Sequence, residues 1–196
     1  APRFGIEAWL HVLAYGLAGF GYIITATFLP VIARAAIPES ALIDLFWPLF
    51  GAGVVAGALA ATRIGANRDR RSVLAAAYAV QAVGVATSLW LPNAFGFAFG
   101  SLLVGFPFTA ITFFAMQEAR RLRGGTAASY MGLLTASYGI GQVVGPALVA
   151  MLVARSASPA AGFTSALMLA VAALVAGMVL YLAMARAWPL RVKPTP

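Results

Sequence analysis

The segment 138–146 reads Tyr138-Gly-Ile-Gly141-Gln-Val-Val-Gly145-Pro146, and it lies inside an apolar run that extends from 127 to 154 without a charged residue. About 20 apolar residues suffice for an α-helix to cross the hydrocarbon core of a bilayer. Gly141 and Gly145 are four residues apart, so they share one helix face and let another backbone approach closely. The segment therefore predicts a membrane-spanning helix that packs tightly against a neighbour.

Five further runs of similar composition lie around it, at 8–32, 41–61, 73–91, 94–116 and 159–185. The chain is 62% hydrophobic and 9% charged, with a mean hydropathy of +0.92, whereas soluble domains are about half apolar and a quarter charged. We therefore predict an all-α membrane protein in which 1–196 forms one bundle of six transmembrane helices. The lipid bilayer is a predicted partner of this bundle.

The basic residues are concentrated in alternate connecting segments. All but two of the 13 Lys and Arg residues fall at the N-terminus, after the second and fourth runs, or in the tail; the exceptions are Arg34 and Arg155. Because cytoplasmic loops carry an excess of Lys and Arg, both termini are predicted to be cytoplasmic. The net charge of +8 is thus explained by orientation in a membrane, and no nucleic-acid partner is expected.

The residues that usually carry catalysis or bind metals are scarce. The sequence contains no cysteine and a single histidine, His11, which we expect at the inner membrane interface with its ring hydrogen-bonded. Neither a His-Glu-x-x-His motif nor a phosphate-binding glycine loop with lysine is present. We predict no catalytic residue, no metal and no cofactor.

Two pairs of segments suggest an internal repeat. Segments 50–57 and 138–145 both read aromatic-Gly-x-Gly-x-Val-x-Gly, and 21–26 and 105–110 share Gly-aromatic-x-x-Thr-Ala. Three predicted helices separate the copies, so the second copy would run in the opposite direction across the membrane. Inverted three-helix repeats, here at about 8–91 and 94–185, are typical of secondary transporters. The alternative is chance similarity between glycine-rich membrane helices.

The loop Gly65-Ala-Asn-Arg-Asp69-Arg70-Arg71 resembles the cytoplasmic loop signature of the major facilitator superfamily. The later Gly-Arg-Arg of that signature is replaced by Ser-Val-Leu at 72–74. The resemblance implies a gating loop, in which Asp69 caps a helix or forms an ion pair while the arginines hold the cytoplasmic side. The alternative is a basic loop that serves orientation alone.

The glycines and proline of the run 127–154 are spaced as in the antiporter signature of that superfamily, although its closing Gly-Gly is replaced by Val149-Ala150. The resemblance implies a bent, closely packed helix at the interface between two halves of a transporter. A proline kink or a static bundle with no role in exchange is the alternative. The predicted helix-interface residues are Gly53, Gly57, Gly132, Gly141, Gly145 and Pro146.

The segment 19–34 resembles the seventh helix in an uncharacterised bacterial branch of the superfamily. This implies that the chain is the C-terminal six-helix half of a twelve-helix protein of the bacterial inner (cytoplasmic) membrane. A second half would then come from the same gene, from another chain, or from a second copy in a homodimer.

The same resemblance places the first and fourth spans around a central cavity, with the second and fifth spans beside them. The side chains predicted to contact a solute there are Tyr22, Thr25, Phe106, Thr109, Phe113, Tyr138 and Gln142. Asp44, near the outer end of the second span, is the candidate for proton coupling, and the alternative is a carboxylate that favours the start of a helix. Ordinary helix packing is the alternative for the aromatic residues.

Two functional hypotheses follow. The first is half of a major-facilitator-type secondary transporter that moves a small organic solute by efflux or proton-coupled antiport. The second is a non-transporting accessory or scaffold subunit of a larger membrane complex, motivated by the few polar residues at mid-membrane. A channel is disfavoured because the sequence contains no ring of charge or carbonyl-loop motif.

Overall fold

Seven α-helices and two short 3₁₀ turns make up most of this computed structural model, which describes residues 5–38, 43–65 and 67–190. No strand occurs among these residues, so the predicted all-α class is confirmed. Residues 41–42 of the second run, and the basic residues Arg3, Arg191 and Lys193, lie outside the described part. The helices are α1 (Ile6–Ala36), α2 (Phe46–Ala61), α3 (Arg70–Trp90), α4 (Ala94–Gly105), α5 (Phe108–Arg123), α6 (Ala127–Arg155) and α7 (Pro159–Ala187).

Short polar side chains and one glycine fix several helix ends. Asn93 accepts a hydrogen bond from Gly96 N at the start of α4, and Ser158 accepts one from Ala161 N at the start of α7. Each cap satisfies a backbone N–H that has no partner within its helix. α5 ends at Gly124, where φ is 45°, a conformation that is costly for any residue with a Cβ atom.

Within the described part of the chain, five helical stretches are long and apolar enough to cross a membrane: Ile6–Ala36, Ile43–Ala61, Arg70–Trp90, Ala94–Arg155 and Pro159–Ala187. This agrees with the predicted membrane protein. The fourth stretch contains α4, α5 and α6 and has 62 residues, far more than the roughly 20 that one crossing requires.

α1 and α6 run parallel to each other. Tyr130 donates a hydrogen bond to the Ala8 carbonyl at 2.7 Å, and Gln142 donates to the Tyr22 hydroxyl at 2.7 Å. The residue numbers rise together along the two helices. A direct contact between these parallel helices therefore joins the first helix of the bundle to the sixth.

α5 runs in the opposite direction to α1. Near the start of α1, His11 contacts the Ala115 carbonyl, and further along, the Tyr22 ring packs on Phe108 at 5.0 Å between centroids. Since α6 is parallel to α1, the chain must reverse between α5 and α6. The reversal occurs in the 3₁₀ turn that begins at Gly124.

The fourth predicted run is interrupted rather than continuous. The predicted run 94–116 is not one continuous helix, because α4 ends before a two-residue turn at Phe106 and Pro107, both with αR backbone angles, and the chain resumes as α5. Proline lacks the backbone N–H that would continue the helix. Gln81 of α3 donates a hydrogen bond to the Val104 carbonyl at 3.0 Å, next to the break.

Glycines set the closest helix contacts. A Cβ atom on Gly57 of α2 would clash with the Phe106 carbonyl of α4–α5, and one on Gly141 of α6 would clash with the Gly16 carbonyl of α1. Gly51, on the same helix as Gly57, has nothing within 4 Å of its Cβ position. The sequence motifs therefore contain both contact glycines and glycines with free space.

We expect Gly57→Ala to lower the free energy of unfolding by about 1–3 kcal/mol, because the added methyl group forces two backbones apart. Gly51→Ala, in the same helix, is the matched control and should be neutral or slightly stabilising. The measurement is thermal unfolding of both variants in one detergent. A Gly57→Ala protein that melts at or above the wild-type temperature would contradict this packing.

Candidate functional site

Asp69 caps the first turn of α3. Its Oδ1 accepts hydrogen bonds from Arg71 N at 2.9 Å and Arg71 Nε at 3.0 Å, and its Oδ2 accepts from Arg71 Nη2 at 2.9 Å. Partial burial opposes ionisation of the carboxyl, but the hydrogen bonds and positive charge of Arg71 outweigh burial and hold the pKa of Asp69 below its usual value. Asp69 was expected either to cap a helix or to form an ion pair, and it does both at the start of α3.

Arg71 is the centre of a buried set of charges. Its side chain is fully buried, and its Nη1 donates to Glu7 Oε1 at 3.0 Å and to the Met184 carbonyl at 3.0 Å. Arg121 donates to Glu118 Oε2 at 2.9 Å and also pairs with Glu7. We call Glu7, Asp69, Arg71, Glu118 and Arg121 the charge cluster.

The charge cluster connects four helices at one end of the bundle. Its members come from α1, α3, α5 and the loop before α3, and Met184 adds a backbone carbonyl of α7. Arg71 has three carboxylates around it, and only the loss of all of them would leave its buried charge uncompensated, which typically costs about 3–5 kcal/mol. The sequence placed an acid three residues before Arg121, so a pair of Glu118 with Arg121 or Arg120 could be expected, whereas the contact of Glu7 with buried Arg71 could not, because these two residues are distant in sequence.

His11 lies in the interior of the bundle, about one helical turn along α1 from Glu7 of the charge cluster, and its expected depth at the inner membrane interface stays a prediction. The ring is fully buried. Its Nε2 lies 3.1 Å from the Ala115 carbonyl, so this nitrogen carries the proton and donates. Its Nδ1 accepts from the Tyr181 hydroxyl at 3.0 Å. Both ring nitrogens are thus hydrogen-bonded, as expected, but by helices that pack on α1.

Three of the predicted solute-contact residues lie together. The Tyr22 and Tyr138 rings stack with their centroids 5.8 Å apart, and Gln142 donates to the Tyr22 hydroxyl. Tyr15 and Phe108 extend this group, at 4.8 Å from Tyr138 and 5.0 Å from Tyr22. We call these five residues the aromatic–amide cluster. It combines four ring faces with an amide between α1, α5 and α6.

The remaining predicted contacts are spread over other surfaces. Phe106 is 39% exposed at the break in the fourth run, Thr109 is half-buried, and Phe113 of α5 is 47% exposed. Thr25 is buried and lines a narrow cleft with Ser101 and Trp47. Their contact with a solute in a central cavity stays a prediction.

The other predicted residues have simple surroundings. Asp44 is exposed and pairs with Arg34 at 3.3 Å, a surface ion pair of the kind that adds little stability. Gly132 has nothing within 4 Å of its Cβ position, and Pro146 is half-buried within α6. Gly65 lies beside the Asn67 side chain in the loop before α3.

The comparison with protein families identifies the class of protein. The family model for the uncharacterised MFS-type transporter YbfB matches residues 4–182. The chain therefore belongs to this family of major-facilitator-type transporters, as the sequence motifs predicted. No curated protein and no solved structure gives a significant match.

We expect Asp69→Asn to be less stable than wild type at neutral pH, by at most about 1 kcal/mol, since the carboxylate is partly exposed. The folded-state pKa of Asp69 is lowered, so this stability is fully present above the unfolded pKa of about 3.9 and is lost as pH falls through the folded value. Thermal unfolding at pH 7, 5 and 3 measures the difference.

Asp44→Asn is the control for the same charge change at an exposed pair, and its effect should be smaller at every pH. An Asp69→Asn difference that grew as the pH was lowered would contradict a folded-state pKa below the unfolded one.

Proposed function

We propose that this chain is one half of a secondary transporter that moves a small organic solute, by efflux or proton-coupled antiport. The family match over residues 4–182 is the observation that carries this proposal. Alternating access in such proteins requires two bundles that move around a central site. A second half, from the same gene, another chain or a second copy, completes the transporter.

We further propose six crossings with both termini cytoplasmic. The reversal between α5 and α6 supports two crossings within the long fourth stretch. The charge cluster and the basic loops lie at the same end of the bundle, the end at which α2 and α5 finish and α3 and α6 begin. An excess of arginine at one end is the usual mark of the cytoplasmic side.

The inverted repeat is supported by two equivalent helix contacts. A Cβ atom on Gly105 would clash with the Phe50 carbonyl, and one on Gly19 would clash with the Tyr138 carbonyl. Phe50 and Tyr138 hold the same position in the repeated motif. In each case the second helix of one three-helix unit packs on the first helix of the other unit. We propose units of about 8–91 and 94–185 on this basis.

The aromatic–amide cluster is the proposed solute contact. Its rings and its amide carry no charge, so they suit an aromatic or amphipathic solute better than a strongly ionic one. Tyr138 and Gln142 are only partly buried, which leaves one side of the cluster accessible. Asp44 remains the proposed coupling residue on this half, at the opposite end from the charge cluster.

The second half is proposed to cover the apolar faces of α2 and α6. Val55 and Leu59 of α2, and Ile140 and Val143 of α6, are all largely exposed. These residues lie on the two helices that carry the repeated glycine motif. Lipid is the alternative neighbour of these faces.

The accessory-subunit hypothesis stays the alternative, and the family match gives it no support. The carboxylates of the described residues are paired with arginines, and none lies beside the aromatic–amide cluster. The mass of the assembly after gentle extraction separates the two functions. One further six-helix chain or a second copy supports the transporter, and a large unrelated complex supports the accessory role.

The topology is testable because the chain contains no cysteine. In intact cells, a membrane-impermeant maleimide should label Ala157→Cys, in the loop between α6 and α7, but not Asn67→Cys, before α3. Both native side chains are exposed. Inside-out vesicles should give the reverse pattern. Labelling of both positions from the same side would contradict the six-crossing arrangement.

Transport by the complete assembly tests the solute contact. Labelled aromatic and amphipathic compounds are first screened for uptake into proteoliposomes. For the transported compound we expect Gln142→Leu and Tyr22→Phe each to lower the specificity constant about tenfold, the usual worth of one hydrogen bond. Met168→Leu, on the exposed face of α7, is the control. Unchanged transport in both cluster variants would exclude this contact.

A further inference from the structure

A cavity lined by basic residues lies beside the charge cluster, and the ion pairs of that cluster do not account for the positive charge of the cavity. The cavity has a volume of about 570 Å³ and lies between the end of α2, the start of α3 and the second half of α5. Its polar lining consists of Thr62, Arg68, Arg70, Gln117, Arg120 and Arg121. We call this the arginine cavity.

The carboxylates of the chain are too few to neutralise the arginine cavity. The chain has 5 Asp and Glu residues. Glu7, Asp69 and Glu118 pair with Arg71 and Arg121, while Asp44 pairs with Arg34 away from this end. The fifth, Glu39, lies outside the described residues and next to the Asp44 turn in sequence.

Three guanidinium groups in the cavity therefore lack an acidic partner. Among the described residues, no carboxylate forms an ion pair with Arg68, Arg70 or Arg120. Arg70 Nε instead donates to the neutral Gln117 Oε1 at 2.6 Å. Like charges around one cavity repel each other, and an anion between them would remove that cost.

The same cavity has an apolar wall. Ile64, Val73, Phe113 and Phe114 line it beside the arginines, and Phe113 is 47% exposed. Guanidinium groups bind phosphate oxygens through two parallel hydrogen bonds. Apolar side chains next to such a site match the first carbons of an acyl chain. A ligand that fits both features has a phosphate head and a hydrocarbon body.

We propose that the arginine cavity binds the phosphate headgroup of an anionic phospholipid. Arg68 and Arg120 contact the phosphate, Arg70 is oriented by Gln117, and the acyl chain lies along Phe113. Basic pockets between helices at the membrane surface are suited to anionic lipid headgroups. This site is separate from the aromatic–amide cluster, so the proposal does not depend on solute transport.

The test is native mass spectrometry of the purified full chain with phosphatidylglycerol, and with phosphatidylcholine of the same acyl chains. Wild type should bind phosphatidylglycerol at least about tenfold more tightly, and Arg68→Gln/Arg120→Gln should lose about tenfold in that affinity. Arg155→Gln/Arg186→Gln removes the same charge from positions outside the cavity and should leave the affinity unchanged.

Three results would overturn the proposal. Equal affinity for the two lipids would exclude recognition of the anionic headgroup. An equal loss of affinity in the control variant would show that the effect depends on net charge alone. Competition by glycerol phosphate at the affinity of the lipid would assign the cavity to a soluble phosphate ester. If the double variant unfolds, Arg68→Lys/Arg120→Lys keeps the charge but not the paired hydrogen bonds, and weaker phosphatidylglycerol binding is again expected.

Discussion

The backbone contact between α1 and α6 is the constraint on which the rest of the bundle depends. Gly19 and Gly141 bring the two parallel helices so close that a Cβ atom at either position would clash with the backbone of the other helix. Lipid removes the hydrophobic drive for helices to associate, so close van der Waals packing must supply it. Tyr130, Ser137 and Gln142 of α6 form hydrogen bonds to α1 across this contact.

The polar groups of the bundle are segregated by depth. The charge cluster lies at one end, where it ties α1, α3, α5 and the α7 backbone together around buried Arg71. His11 follows further along α1, held by Ala115 and Tyr181, and the uncharged aromatic–amide cluster lies beyond it. Buried ions are stable only with partners, which explains why charge stays at the end while the interior uses amides, hydroxyls and rings.

Much of the architecture could be read from the sequence because it rests on local composition. Six apolar runs, the basic loops and the repeated glycine motif indicated the all-α membrane class, and the loop 65–71 led to the family and to the Asp69 cap. The glycines of the repeat had two outcomes. Gly57 and Gly141 are contact residues, whereas Gly51 has open space at its Cβ position, since spacing along one helix does not say which face meets a neighbour.

The sequence by itself determined that this protein is embedded in lipid, which of its segments are helical, and that its arginines outnumber its acidic residues. Each is a property of composition and of residues close together in the chain. Only the tertiary structure decided which residues meet: Glu7 with Arg71, His11 with Tyr181, and Tyr22 with Gln142. These partners are far apart in the chain, and their pairing depends on how rigid helices cross. That geometry is set by close packing over many residues and cannot be read from any one segment.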